Sequence, residues 1–252
     1  MNGWACWCVK KRVNGLEVCD GNTQKWKQKE ALKPEEDKMN DMDLRGFLEN
    51  WPYDPEMNVR LGRGCDGREI VLVRKPLGLE QYEADGHPGG WHEHGTETVL
   101  NFHQTRFNGL KLGSPDSAFD LTAEDCTEIF QEAAAYYHRL IALFRLKEWR
   151  RVERDAMHIL RLLDFVELHA RCAEDRLQLA SWRPLTTRIK ATAWAMSHLE
   201  KGRYQEALTA AGDIPGISTA LDDSAPGCKN LADLLSASVR GSLTDCPKSP
   251  SE

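Results

Sequence analysis

The sequence predicts a mostly helical α+β protein in which a small three-stranded antiparallel meander packs on an array of antiparallel helical hairpins. Two observations carry this. Three short strand-like runs separated by turn residues lie between Asn58 and Gly86, and apolar residues recur at three- and four-residue steps from Thr122 to Leu208. Four stretches follow from the patterning: a poorly ordered extension over 1–41, a β-meander segment with flanking short helices over 42–112, helical hairpins over 121–212, and a mostly disordered tail over 213–252. The first stretch is polar and lysine-dotted without a sustained period, and the last ends in "SLTDCPKSPSE".

Within the second stretch, "DLRGFLEN" places Leu44, Phe47 and Leu48 on one side of a short helix that Pro52 and Pro55 end by Trp51. The strands are "NVRLGRG" (58–64), "REIVLVR" (68–74) and "LEQYEADG" (79–86). Asp66-Gly67 predicts a type I′ turn, which needs positive φ at both central positions. "KPLG" (75–78) predicts the second turn, with Pro76 presetting φ and Gly78 taking a left-handed step. Ile70-Val71-Leu72-Val73 is apolar on both faces, as the middle strand of a meander should be. A sheet this small also needs helices to cover it.

The helices come next. "TETVLNFHQTRF" (96–107) groups Val99, Leu100, Phe102 and His103 on one side, and His103 is expected to pack against the sheet. "NGLKLGSPDSAFD" reads as a loop. Thr122 then caps a long helix, with Asp125 three residues on in a capping box. Its stripe is Cys126, Ile129, Phe130, Ala133, Tyr137, Leu140, Ile141 and Phe144. A second helix, 150–170, repeats the spacing with Val152, Ala156, Ile159, Leu160, Leu163, Val166 and Ala170, and the short "LKEW" link folds the two into a hairpin. A third, near 184–201, tolerates Pro184 in its first turn and ends at Gly202. A fourth starts at Arg203 and stops by Gly212 or Pro215, and "KNLADLLSASV" can add one last helix.

"LEKGRYQEAL" resembles the turn of a tetratricopeptide repeat, with Gly202 at the turn, Tyr204 packing into it and Ala207 letting the helices approach. "LFRLKEWRRV" resembles it more distantly, with Trp149 and Val152 at the matching places. Trp149 and Tyr204 are 55 residues apart, whereas tandem tetratricopeptide repeats recur about every 34. The two hairpins are therefore repeat-like without forming an array, and "RCAEDRLQLASW" is inserted between them. The stretch from Leu44 to Leu208 also resembles an uncharacterised bacterial family, on "FLENWPYDPEMNVRLGRGCDGREIVLVRKPLGLEQYEADG", "YYHRLIALFRLKEW" and "SHLEKGRYQEAL". That resemblance implies a small β segment joined to tetratricopeptide-like helices. Longer members of the family end in a UvrB/UvrC motif, a helical hairpin used for protein contact in nucleotide-excision repair. Nothing after Ala211 here reads like that motif.

Composition narrows the chemistry. A net charge of −6 argues against a generally polyanion-binding protein, so nucleic-acid contact would need a local basic face. One exists: Arg139, Arg145, Lys147, Arg150, Arg151, Arg154 and Arg161, with Glu148, Glu153 and Asp155 among them. Arg145, Lys147, Arg150, Arg151 and Arg154 are its candidate phosphate contacts, although a solvated amphipathic face has the same pattern. "GHPGGWHEHG" offers His87, His92 and His94 as candidate metal ligands, without the fixed register of a helical H-E-x-x-H. Cys6, Cys8 and Cys19 lack a fourth ligand, and no cofactor is expected. Eight scattered cysteines read as reduced, "MNGWACWCVKKR" has no apolar core of a secretion signal, and no run is long enough to span a membrane; a cytoplasmic setting is expected. Phosphate-loop and nucleophile-elbow motifs are missing, and Cys126 faces inward. The reading is a non-catalytic scaffold or adaptor that binds another protein. The alternatives are a nucleic-acid-associated factor acting through the arginine face and a metal-dependent enzyme using the histidine loop.

Overall fold

The computed structural model describes residues 44–90, 93–113, 118–212 and 214, together with 232–233, 235–237 and 239. The expected extension over 1–41, with Cys6, Cys8 and Cys19, lies outside the described residues, as does most of the tail. The chain divides into two compact units, Met1–Asp54 and Pro55–Glu252. In the first, helix α1 (Arg45–Glu49) is closed by Asn50, whose side-chain amide donates to the Gly46 carbonyl at 2.6 Å. Phe47 meets Trp51 edge-on at 6.2 Å. The expected apolar face is less covered than its pattern suggests: Leu44 and Phe47 stay about half exposed, because one turn and a half of helix shields little.

The second unit begins with the meander, β1 (Val59–Arg63), β2 (Glu69–Lys75) and β3 (Gly78–Glu83), antiparallel in that order. Leu61 pairs with Val71, and Val71 with Tyr82. Val71 and Val73 enter the core, while Ile70 and Leu72 crowd the opposite face over Gly62. A Cβ at Gly62 would stand 3.1 Å from Leu72 and 3.3 Å from Ile70, so any other residue there would have to push those side chains aside.

Both turns differ from expectation. Of Asp66 and Gly67, Gly67 alone has positive φ, at 84°, and its amide donates to the Gly64 carbonyl. The Gly64 amide donates to Arg68, making a three-residue loop with a left-handed glycine in place of a type I′ pair. At the second turn neither Leu77 nor Gly78 is left-handed. The buried Arg74 guanidinium holds it instead, donating to the carbonyls of Lys75 and, at 3.0 Å, Gly78.

Seven α-helices lie between residues 45 and 212, the remaining six being α2 (Val99–Gly113), α3 (Ala123–Arg145), α4 (Trp149–His169), α5 (Ala173–Ala180), α6 (Arg183–Glu200) and α7 (Tyr204–Gly212). None is long and apolar enough to cross a membrane. α2 runs past the expected Phe107 through both glycines of "NGLKLG", where Lys111 folds back over the Phe107 ring at 5.9 Å, an i, i+4 contact that supports the last turns. α3 has the predicted capping box: the Thr122 amide donates to Asp125 at 2.9 Å, and the Asp125 amide to the Thr122 hydroxyl at 3.2 Å. Its stripe and that of α4 are buried against each other, with Ile129, Ala133, Leu140, Val152, Ala156, Ile159 and Val166 at 0% exposure.

α3 pairs with α4, α4 with α6, and α6 with α7; the inserted segment forms α5, which packs beside α4. The turns after α3 and α6 are the same structure twice. Lys147 and Gly202 both sit in the left-handed region, at φ 61° and 70°. In the first turn Glu148 donates to the Leu143 carbonyl and Lys147 to Phe144; in the second Arg203 donates to His198 and Gly202 to Leu199. These are two Schellman caps 55 residues apart, with Trp149 and Tyr204 opening the following helices. The indole of Trp149 reaches Glu200 at 2.6 Å and ties the start of the first return helix to the end of the second outgoing one.

Candidate functional site

The sequence offers two places for chemistry, and the structure sets each among definite neighbours. Of the arginine face, Arg139 is buried, Arg151 and Arg154 are half-buried, and Arg145, Lys147, Arg150 and Arg161 are exposed. Arg139, wholly buried on α3, makes a forked ion pair with the wholly buried Asp155 of α4, at 2.7 and 2.8 Å. It also donates to the carbonyls of Glu83 and Gly86, both at 2.8 Å, and lies over the Tyr136 ring at 5.0 Å. Arg154 continues the network, to Asp155 at 3.0 Å, Asp85 at 2.5 Å and the Ala84 carbonyl at 2.9 Å. Arg151 meets Glu69 at 2.6 Å, Asp85 at 3.0 Å and Glu148 at 3.4 Å. Burial alone would raise the Asp85 carboxyl, but the hydrogen bonds from Arg151 and Arg154 hold it below the usual carboxylate range.

Three of the candidate phosphate contacts are therefore already engaged, since Arg145 donates to the Asn58 side chain at 2.6 Å. Lys147 occupies the turn, and Arg150 is exposed beside it. The expectation of a solvated face fails at Arg139, and at Arg151 and Arg154 it gives way to a clamp. Guanidinium forks on α3 and α4 grip the end of β3 and the loop after it, and so fix the sheet to the hairpin.

The histidine loop leads to two separate settings. His87 is buried, its Nδ1 accepting from the Gly89 amide at 3.1 Å, with its ring edge-on to Tyr136 at 5.9 Å. His94 has a φ of 53°, stacks on Phe102 at 4.1 Å and lies 3.0 Å from Glu128. His92 lies outside the described residues, among which no group of three His, Cys, Asp or Glu is placed to hold a metal ion. His103, expected against the sheet, is wholly buried at the contact of α2 with α3, 4.0 Å from Asp125. Neither of its ring nitrogens has a hydrogen-bond partner among the described residues, and burial lowers its pKa. Asp125 is held down to about 2, chiefly by the Arg106 fork.

A second buried pair went unnoticed in the sequence. Glu132 of α3 lies 2.5 Å from His158 of α4 and accepts the Val99 amide at 2.5 Å, so one carboxylate ties α3 to α4 and serves the open N-terminus of α2. Charge inside an apolar stripe was the available signal: Glu132 and Arg139 sit on the inward side of α3, and Asp155 and His158 on that of α4. Between α3 and α5 a cleft lined by Cys126, Phe130, Asp175 and Leu179 holds about 20 Å³, room for a water and far below the few hundred Å³ of a substrate pocket. Burial, then the Asp175 carboxylate, pushes the Cys126 thiol up to about 12, the opposite of what a nucleophile needs.

Free surface is left on the outer faces of the hairpins. Trp194 of α6 is 42% exposed with its ring against His198 at 5.2 Å, and α4 turns Met157, Arg161, Asp164 and Leu168 outward. Compared with known proteins, the chain matches no family model, no curated protein and no solved structure.

Proposed function

We propose that the chain is a non-catalytic protein-interaction module, a scaffold or adaptor whose partner is another protein. One observation carries the reading: two helical hairpins with the same Schellman turn stack through α4 and α6, the arrangement by which helical repeats present a stiff docking face. An exposed tryptophan on that frame supports it, because rigid aromatic side chains dominate protein interfaces. The resemblance to a bacterial family with tetratricopeptide-like helices points the same way, with a cytoplasmic setting. A photo-crosslinking residue at position 194 tests the reading in the native cell. A defined partner captured from position 194, absent from a control at Leu77 and lost with Thr187→Glu, exposed two turns earlier on the same side of α6, supports it. Equal capture from both positions removes it.

A nucleic-acid role is the second reading, favoured by the exposed Lys147 and Arg150 beside the arginine clamp. A gel shift at low salt decides it, since phosphate contacts weaken steeply as salt rises.

A further inference from the structure

β1 is one edge of the meander, and its ladder leaves half of its backbone groups facing outward. The Asn58 carbonyl accepts from the Arg74 amide at 2.7 Å, and the Gly64 amide donates to the Arg68 carbonyl at 2.9 Å. The alternation of an antiparallel pair therefore turns Arg60 and Gly62 toward β2 as well. The amides and carbonyls of Val59, Leu61 and Arg63 point the other way, where no strand lies among the described residues. The opposite edge of the sheet is closed by the chain itself, since the Glu83 amide of β3 donates to the Pro88 carbonyl at 2.8 Å. β1 has no such cover: Arg60, Leu61 and Arg63 are exposed, Leu61 by 39%. An open row of backbone donors and acceptors is a template for one more strand.

Side chains select that strand. Val59 and Leu61 stand on the face of Val71 and Val73, so an added strand extends the core over the exposed leucine. Arg63 follows on that face and Arg60 lies on the other, and β1 carries no acidic residue. Arg63 makes no ion pair among the described residues, because Glu69 across the ladder from it is held by Arg151 at 2.6 Å. Pairing β1 with a second copy of itself would bring together two arginines from each strand with no carboxylate between them, and like charges on neighbouring strands repel. An acidic strand meets the same two arginines with attraction.

We propose that β1 is a docking edge for an extended acidic segment of a partner protein, which joins the meander as a fourth strand. Running antiparallel to β1, that segment sets carboxylates opposite Arg63 and Arg60 and aliphatic side chains opposite Leu61 and Val59. From its N-terminus it reads acidic, any, aliphatic, acidic, aliphatic. This surface is on the sheet and not on the helices, and its test is independent of the one at position 194.

The probe is a short fluorescein-labelled peptide with glutamate and valine in that order, titrated into the full chain beside a copy in which lysine replaces glutamate. The glutamate peptide binds about ten-fold more tightly or better, and Arg63→Glu reverses the preference. Leu61→Pro removes an outward amide and leaves the β1–β2 ladder whole, because the Leu61 amide donates nothing to β2. Folded by circular dichroism, that variant loses about ten-fold or more in affinity. Hydrogen exchange locates the peptide: the amides of Leu61 and Arg63 slow on its addition, while those of Arg60 and Gly62, already bonded to β2, do not change. Equal affinity for the two peptides, no binding up to about 1 mM, or full binding by a folded Leu61→Pro overturns the proposal. Should Leu61→Pro fail to fold, the Arg63→Glu reversal and the exchange pattern decide, and absence of either overturns it. A concentration-dependent wild-type dimer that shields the amides of Leu61 and Arg63 would make a second copy the occupant, and that too overturns it.

Discussion

Asp155→Ala tests the clamp between sheet and helices. Asp155 and Arg139 are both at 0% side-chain exposure, and the carboxylate accepts from Arg139 at 2.7 and 2.8 Å and from Arg154 at 3.0 Å. Alanine removes all three contacts and leaves the Arg139 guanidinium buried without a counter-charge. Breaking one side of a buried pair costs about 3–5 kcal/mol. Arg139 keeps the Glu83 and Gly86 carbonyls and the Tyr136 ring, which places the loss near the lower end, at about 3 kcal/mol. At about 2–4 °C per kcal/mol for a protein of this size, the melting temperature falls by about 6–12 °C. Scanning calorimetry measures this, and urea titration separates a lower stability from a changed slope. Asp85→Ala is the contrast: that side chain is 65% exposed, so its removal costs about 1 kcal/mol or less despite two arginine partners. The double variant Arg139→Met/Asp155→Leu recovers most of the loss, because a packed apolar pair needs no counter-charge. An Asp155→Ala protein melting within about 2 °C of wild type would refute the reasoning, since the pair would then be as well hydrated as a surface one.

Lys147→Gly raises the urea midpoint, by about 0.5–1 kcal/mol of stability. Relief of a left-handed lysine, at φ 61°, exceeds the extra freedom glycine gains on unfolding. Gly202→Ala, at the equivalent place, lowers it by about 1 kcal/mol, and equal responses at the two sites would mean that the turns differ. Ala156→Asp buries a second carboxylate beside Asp155 and lowers the melting temperature by several degrees, whereas a wild-type melt shows the α4 stripe misplaced. Burial lowers the His103 pKa below the ordinary histidine value of about 6.5, so the unfolded chain binds its proton more readily. Its contribution to stability is full above about pH 6.5 and is lost as pH falls through the folded value. His103→Leu removes two unpartnered ring nitrogens, gains about 1 kcal/mol at pH 7 and flattens the acid side of the stability curve; an unchanged acid limb assigns that limb to other groups.

How much could be read from the chain depended on whether a signal was local. The three strands, the Thr122 cap and the helix starts near Trp149 and Arg183 are set by neighbours within a few residues, and they lie where the pattern puts them. Turn types were less accessible, because Arg74 beneath the second turn replaces a left-handed step that Gly78 was expected to take. The repeat-like turns were half legible. Gly202 announces a left-handed cap, but Lys147 does not, and only the matching hydrogen bonds reveal that it adopts the same conformation. The buried pairs were legible in principle. Arg139 and Asp155 lie eight residues either side of Lys147, so an antiparallel hairpin turning there must set them face to face.

That register explains why the arginine stripe misleads when each helix is read alone. On a helical wheel of α4, Arg151 and Arg154 fall with the exposed Arg150 and Arg161 and look like a surface for phosphate. Their partners, Glu69 of β2 and Asp85 of the loop after β3, are 82 and 69 residues away in sequence, where no helical periodicity can reach them. The same long separation gives the clamp its structural consequence. Backbone carbonyls at Glu83, Ala84 and Gly86 accept from Arg139 and Arg154, so the meander is held by directional bonds at one end as well as by the apolar contacts of Val71 and Val73. Arg139, Arg151 and Arg154 are thus committed to holding a sheet in place, and the docking proposal looks instead to the outward faces of α4 and α6.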